Sequence, residues 1–230
     1  MTEYPLNINS PFFHEERYAT LAPHASGLIS ICGAGALGGN LAETLARMGC
    51  THLRLIDKDR VDMRNLSAQP YSRAEIGAPK ARALATALYR AVQAKVEPVG
   101  KELTTANALN LLSGSTLVVD AFDNHLARAA VSQAARCLQW PCLHIGFSSD
   151  GLYGSGVWEP DYRVPRETPG DPCDYPLTRP FALALSALAA RAITDFLLQG
   201  ARYDFEMTWH DLHIHYAVSP AADLPASGPT

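Results

Sequence analysis

Gly33-Ala34-Gly35-Ala36-Leu37-Gly38 has the spacing G-x-G-x-x-G and stands between a short apolar run, Leu28 to Cys32, and an alanine-rich amphipathic stretch, Leu37 to Met48. Glycines at a strand-to-helix turn let phosphates approach backbone N–H groups at the positive end of a helix. Asp57 closes the next apolar run, His52 to Ile56, roughly 20 residues beyond the glycines, where nucleotide folds keep a ribose-binding carboxylate. Gly33, Gly35, Ala36, Leu37, Gly38 and Asp57 therefore point to a bound nucleotide. They suit a dinucleotide dehydrogenase as well as an ATP-using enzyme, so the choice falls to the residues beyond Asp57.

Two other groups of residues could do chemistry. The five cysteines, Cys32, Cys50, Cys137, Cys142 and Cys173, are scattered without a C-x-x-C pair, which argues against a disulfide framework and a four-cysteine zinc site. Cys32 and Cys50 lie on apolar faces. Cys173 instead stands in the polar run Gly170-Asp171-Pro172-Cys173-Asp174-Tyr175-Pro176, where packing gives no reason for a thiol. The flanking aspartates would raise its pKa, so activation would have to come from Arg179, His144 or a conformational change. His213 and His215 share one face of an alternating stretch that also holds His210, a spacing open to metal ligation. No acidic or cysteine partner stands at fixed spacing, and a solvated strand face is the expectation.

These residues need a frame that brings strand ends together. Strand patterns at 28–32, 52–56, 95–99, 116–120 and 142–147 alternate with helical patterns at 37–48, 80–94, 105–112 and 124–138, with Pro79 placed to open the second helix. That order predicts an α/β, Rossmann-like, mostly parallel sheet with helices on both faces. Residues 150–158 read as an extended, glycine-punctuated segment. Residues 159–179, with Pro160, Pro165, Pro169, Pro172 and Pro176, read as a long irregular loop. A helix over 180–199 and a closing strand or hairpin over 205–216 complete the pattern. We expect a single domain over 1–220, with a core at 28–147, a loop segment at 148–179, a C-terminal helix and strands at 180–220, and a frayed tail at 221–230.

Of 230 residues, 47% are hydrophobic and 18% charged, and the formal net charge is −4. This is a globular balance without the broad basic surface of a nucleic-acid binder, and nucleic acid is not an expected partner. Met1 to Ser10 lacks the basic start and apolar run of a secretory signal. The most apolar stretch, Phe181 to Leu198, is interrupted by Arg191 and Asp195, which favours a buried or dimer-facing helix over a membrane span. A cytoplasmic location and no membrane association are expected.

Asp57-Lys58-Asp59-Arg60-Val61-Asp62-Met63-Arg64-Asn65-Leu66-Ser67-Ala68-Gln69 resembles the D-x-D-x-V-x-x-x-N-L-x-R-Q stretch of the ubiquitin-activating-enzyme-like adenylyltransferase family, which includes ThiF, MoeB and HesA. Gly77-Ala78-Pro79-Lys80-Ala81 resembles that family's G-x-x-K-A element. Asp120-Ala121-Phe122-Asp123-Asn124 with Arg128 resembles its D-x-x-D-N-x-x-x-R element. With the glycine turn, four motifs stand in order over 28–147.

The resemblance implies an enzyme that uses ATP and Mg²⁺ to adenylate the C-terminal carboxylate of a ubiquitin-like or sulfur-carrier protein ending in Gly-Gly. It implies Asp57 at the ribose, Asn65 and Gln69 beside the phosphates and adenosine, Lys80 at the triphosphate, and Asp123 as the metal ligand. Asp59, Arg64, Asn124 and Arg128 join the nucleotide-binding set. Ala68 departs from the family's arginine, and Arg64 is the candidate replacement. Arg17-Tyr18 resembles the start of an N-terminal R-Y-x-R-Q element whose arginine reaches a partner subunit, although Thr20 replaces its second arginine. The resemblance further implies a homodimer, no zinc, and Cys173 as the nucleophile that takes over the activated carboxylate.

Plainer roles exist for two of these residues: Lys80 as an exposed first-turn lysine, and Asp123 as an acid favoured by a helix dipole. Two alternative functions also stand beside the main one. One is the tRNA-modifying, cyclic threonylcarbamoyladenosine dehydratase-like branch of the family, which salt-sensitive tRNA binding would support. The other is a non-catalytic scaffold subunit of a heterodimeric activating enzyme, favoured by Ala68 and opposed by the joint presence of Asp57, Lys80 and Asp123.

Overall fold

The protein is described by a computed structural model over residues 8–18, 26–166 and 175–218. A short helix α1 (Phe13–Tyr18), which no sequence pattern signals, precedes β1 (Leu28–Cys32), α2 (Ala36–Arg47) and β2 (His52–Ile56). Two single 3-10 turns, Met63–Ser67 and Arg73–Glu75, break the polar stretch before α3 (Lys80–Val92) and β3 (Lys95–Val99). Then come α4 (Ala108–Leu111), β4 (Ser115–Asp120), α5 (His125–Leu138), β5 (Cys142–Phe147), β6 (Tyr153–Trp158), α6 (Arg179–Gln199), β7 (Tyr203–Thr208) and β8 (Ile214–Val218). The expected helix at 105–112 shrinks to four residues. Asn107 and Asn110 turn to local partners there: Asn107 Oδ1 accepts from the Thr104 amide and the Asn110 carbonyl accepts from Ser113, contacts that compete with helix propagation.

The eight strands among the described residues share one sheet in the order β3-β2-β1-β4-β5-β6-β7-β8. The first five pair in parallel and the last three antiparallel. β1 is buried throughout, as a central parallel strand flanked by helices must be. Ile29 and Ile31 pack with α2, α3 and α6 on one face, while Cys32 packs with α4 and α5 on the other. Each such buried Ile stabilises the fold by roughly 1.5–3 kcal/mol. α6 has the length and hydropathy of a membrane-crossing helix, yet half of its apolar window is buried in the fold. Phe181, Leu185, Ala189 and Ile193 belong to the same core as Leu41 and Leu45 of α2. The β7–β8 hairpin closes the sheet, with β8 as an exposed edge.

Candidate functional site

The carboxyl ends of β1, β2 and β4 converge on the glycine turn. Gly33 has φ +99°, a region costly for side-chain-bearing residues, and an added Cβ would lie 2.9 Å from the Ala121 carbonyl oxygen. The glycine thereby lets the β1–α2 turn press against the β4–α5 turn, two residues from Asp123. At Gly35 an added Cβ would meet nothing within 4 Å. Gly35 is also the N-cap of α2 and provides no side-chain cap, so the amides of Ala36, Leu37 and Gly38 have no acceptor within their helix. The turn is thus braced below and open above.

Asp57, only 6% exposed, supplies much of that bracing. Its Oδ2 accepts from the Ala34 amide at 2.7 Å and its Oδ1 from the Asp59 amide at 2.8 Å. Burial raises its pKa, partly offset by the Ala34 amide and the nearby Lys80 charge. Tyr71, which sequence reasoning missed, adds a second brace. Its buried hydroxyl lies 2.8 Å from the Ala34 carbonyl and 3.3 Å from that of Lys80, tying the glycine turn to α3.

Lys80, the first residue of α3, is only 7% exposed, and its Nζ lies 3.7 Å from Asp59 Oδ2. The exposed-lysine role does not hold for it. A buried ammonium is costly unless a counter-charge accompanies it, and Asp59 is more than half exposed, so solvent screens that partnership.

Asn65 is engaged locally: its Oδ1 accepts from the Asp62 amide and closes a capping box with Asp62. Arg64 is drawn to Asp62 at 3.4 Å. Ala68 is buried, and its carbonyl accepts from Asn40 Nδ2 at 2.8 Å. Gln69 keeps a buried Oε1 with no partner, an unusual state for an interior acceptor. It lines a cavity of about 470 Å³ with Glu43, Tyr71, Glu75 and Arg179. Neither Asp57, Lys80, Asp123 nor the glycine turn lines that cavity, so the polar strand ends define the candidate site better than the hollow does.

Asp123 is exposed in the β4–α5 turn. Asn124 is the N-cap of α5, its Oδ1 accepting from the Ala127 amide at 2.8 Å. Arg128, grouped with the nucleotide set on sequence, lies elsewhere. It is buried and donates to the Tyr162 hydroxyl at 2.9 Å and the Ile145 carbonyl at 2.6 Å, with Asp120 at 3.6 Å. Its charge is spent inside the fold.

Cys173 lies outside the described residues. His144 does not serve as its activator, because the ring is 1% exposed and enclosed by Asp120 and Glu159. Arg179 donates to the Gln69 carbonyl at 3.4 Å. Arg17 lies 5.5 Å over the Phe13 ring of its own helix. His213 and His215 sit on the exposed edge of the sheet with rings 4.2 Å apart, and no group of three potential metal ligands exists among the described residues.

The glycine turn, Asp57, Lys80 and Asp123 thus meet at neighbouring strand ends, and residues 4–159, more than half of the chain, match the ThiF family. The chain belongs to the ThiF family. Among ThiF relatives, the SAMP-activating enzyme E1 of Haloferax volcanii is 33% identical over 122 residues, covering 52% of this chain and 45% of that protein. The sulfur carrier protein adenylyltransferase of Thermus thermophilus is 36% identical over 119 residues, covering 50% and 43%. The chain therefore spans less than half the length of these two relatives. In fold, the crystal structure of E. coli MccB with ATP superposes with TM-score 0.74 at 15% identity, over 94% of this chain and 75% of that one. The E. coli tRNA N6-threonylcarbamoyladenosine dehydratase TcdA does so with TM-score 0.70 at 19% identity, over 83% and 95%.

Proposed function

We propose that this ThiF-family chain binds Mg·ATP and adenylates the C-terminal carboxylate of a ubiquitin-like or sulfur-carrier protein ending in Gly-Gly, acting as a cytoplasmic homodimer over one domain, 1–220. The observation that carries the reading is the buried Lys80 beside an open, uncapped glycine turn that Asp57 braces. A nucleoside triphosphate suits these residues: the space over Gly35 admits phosphates, and the α2 amides await acceptors. The names of the relatives, a SAMP-activating enzyme and a sulfur carrier protein adenylyltransferase, point the same way.

In the reaction a carboxylate oxygen bonds to the α-phosphorus, the bond from that phosphorus to the bridging oxygen breaks, and pyrophosphate leaves with the electron pair. Negative charge builds on the phosphate oxygens. Lys80 and the α2 amides, fixed in advance, stabilise it without reorganisation. Asp123 would hold a magnesium ion, since such sites use one or two carboxylates plus substrate oxygens; when bound, that ion would neutralise phosphate charge. Cys173 is the proposed acceptor of the activated acyl group in a second step.

ATP–pyrophosphate exchange with a panel of carriers ending in Gly-Gly tests the first step. Exchange that depends on the carrier is the expected result. Intact ATP binding with no exchange for any carrier would remove the reading.

A further inference from the structure

Behind Asp123 lies a second polar constellation that the proposed chemistry does not use. His144 on β5 places Nδ1 2.8 Å from Asp120 Oδ2 and Nε2 3.1 Å from Glu159 Oε1. Both neighbours are carboxylates, so both ring nitrogens donate and the ring is an imidazolium. Burial opposes that charge, but the facing Cys142 sulfur and the two carboxylates outweigh it and raise the ring's pKa to about 12. Tyr162 stacks on the ring at 3.7 Å, nearly parallel. Cys142, His144 and Asp120 have the order of a thiol–imidazole–carboxylate triad. Cys142 is nonetheless fully buried, with its thiol pKa raised by burial, and Nε2 is committed to Glu159, so no second nucleophile results.

The constellation grips a particular stretch of chain. His125, Arg128, Ser132 and Arg136 lie along one face of α5, at helical spacing. Ser132 donates to Glu159 Oε1 at 2.5 Å, and Arg136 to Glu159 Oε2 at 2.7 Å and to the Tyr162 carbonyl at 2.6 Å. Arg128 holds the Tyr162 hydroxyl, and His125 Nδ1 donates to the Pro165 carbonyl at 2.8 Å. Glu159 is thus held near the C-terminal end of α5 and Pro165 at its N-terminal end. The chain runs antiparallel to the helix and arrives at His125, the first residue of α5, two positions beyond Asp123. Gly146 makes room for this arrangement, since an added Cβ there would lie 2.7 Å from Arg128 Nη2.

We propose that His144 is a positioning residue which, clamped between Asp120 and Glu159, fixes residues 159–166 along α5 and so sets the wall past which the carboxylate substrate reaches Asp123. This rests on the adenylation reading. It concerns the approach of the second substrate, because no residue of the clamp lies on β1 or β2, the strands that lead to the glycine turn and Asp57, whereas Asp120 ends β4, the strand that leads to Asp123.

The test uses the full chain and compares wild type with Arg136→Met, which loosens the grip from a half-exposed side chain, with Arg136→Lys, and with His144→Gln. Hydrogen exchange at residues 161–166 is expected to quicken in Arg136→Met and His144→Gln while the glycine turn exchanges as before. With a carrier that supports exchange in wild type, the KM for that carrier should rise by about tenfold or more, as misplacement near a reacting group does. The KM for ATP should stay within about twofold, and Arg136→Lys should recover part of the loss. If His144→Gln fails to fold, Arg136→Met still decides. Unchanged exchange at 161–166 would overturn the clamp, and faster exchange with an unchanged carrier KM would reduce it to scaffolding. A wild type without activity on any carrier sinks the adenylation reading, and the clamp's role in it, before any variant is compared.

Discussion

Asp57 follows β2 and Asp120 ends β4, on either side of β1 in the same sheet; both are buried, and the fold uses them in opposite ways. Asp57 is satisfied mainly by backbone amides from Ala34 and Asp59, and burial leaves its pKa raised. Asp120 is more deeply buried still, yet Arg128 and His144 overcome that burial and lower its pKa. Burial alone therefore decides neither the charge nor the role of a carboxylate; its partners do. The side built from amides is open and can receive a ligand's charge. The side built from ion pairs is closed and supports its neighbour.

The largest effect should come from the open side. Lys80→Ala is expected to lower adenylation by roughly 100-fold or more, the loss that follows removal of one preorganised charge from a developing phosphate oxyanion. Asp123→Ala should also abolish the reaction while the fold stays intact, since Asp123 is exposed. Kinetics of ATP–pyrophosphate exchange beside circular dichroism would check both. Parental rates in Asp123→Ala would refute the metal assignment.

On the closed side the expected damage is to stability. Asp120→Asn leaves Arg128 and His144 without their shared counter-charge, and breaking a buried pair costs about 3–5 kcal/mol. Asp57→Asn keeps an acceptor oxygen for one of the two amides and should cost less, about 1–3 kcal/mol. Urea titration of both variants would compare them directly. Equal losses would erase the contrast.

The parallel core was legible in the sequence because its signals are local. Glycine spacing, the apolar runs at 28–32 and 52–56, and the proline before Lys80 each concern a few adjacent residues, and those elements form where expected. The clamp was not legible. His144 sits in a strand pattern, where one polar residue reads as a solvated face, and its partners come from β4 and from the segment after β6, which α5 in turn holds. Arg128 fits a motif by spacing while its side chain turns inward, a direction that only the packing of Gly146 and Tyr162 fixes. Tyr71 braces a turn 37 residues away, a pairing that no periodicity announces.

The closed side also makes a signed prediction for pH. His144 has its folded pKa raised to about 12 against an unfolded value near 6.5. Its contribution is complete below pH about 6.5 and lost as pH rises toward the folded value, at no more than about 1.4 kcal/mol per pH unit. Asp120 and Glu159, the latter lowered to about 2, act in the other direction. Their contribution is present above about pH 4 and fades as pH falls through their folded values. Asp57, with its pKa raised, favours the fold on the acid side and loses that contribution as pH rises through its folded value. Denaturation midpoints across pH 6–10 should therefore decline in wild type and flatten in His144→Gln/Glu159→Gln. An unchanged slope in the double variant would show that His144 is not the proton carrier.

The smallest expected effect on adenylation belongs to Cys173→Ala, and its smallness is what makes it informative. Adenylation takes its reacting groups from the open side, where Lys80, Asp57 and Asp123 meet, and does not call on Cys173, so exchange should match wild type within about twofold, the scale of surface substitutions remote from a site. Covalent transfer to the chain is different, because in the proposed second step the Cys173 thiolate takes the acyl group from the adenylate and AMP leaves. On a non-reducing gel, wild type with ATP and an active carrier should give a conjugate that a reducing thiol cleaves, and Cys173→Ala should give none. Cys137, an exposed thiol on α5, is the internal control; Cys137→Ala should leave the conjugate in place. If Cys173→Ala still forms the conjugate, or wild type never does, the chain hands its adenylate to an external acceptor, and the whole of its chemistry lies on the open side.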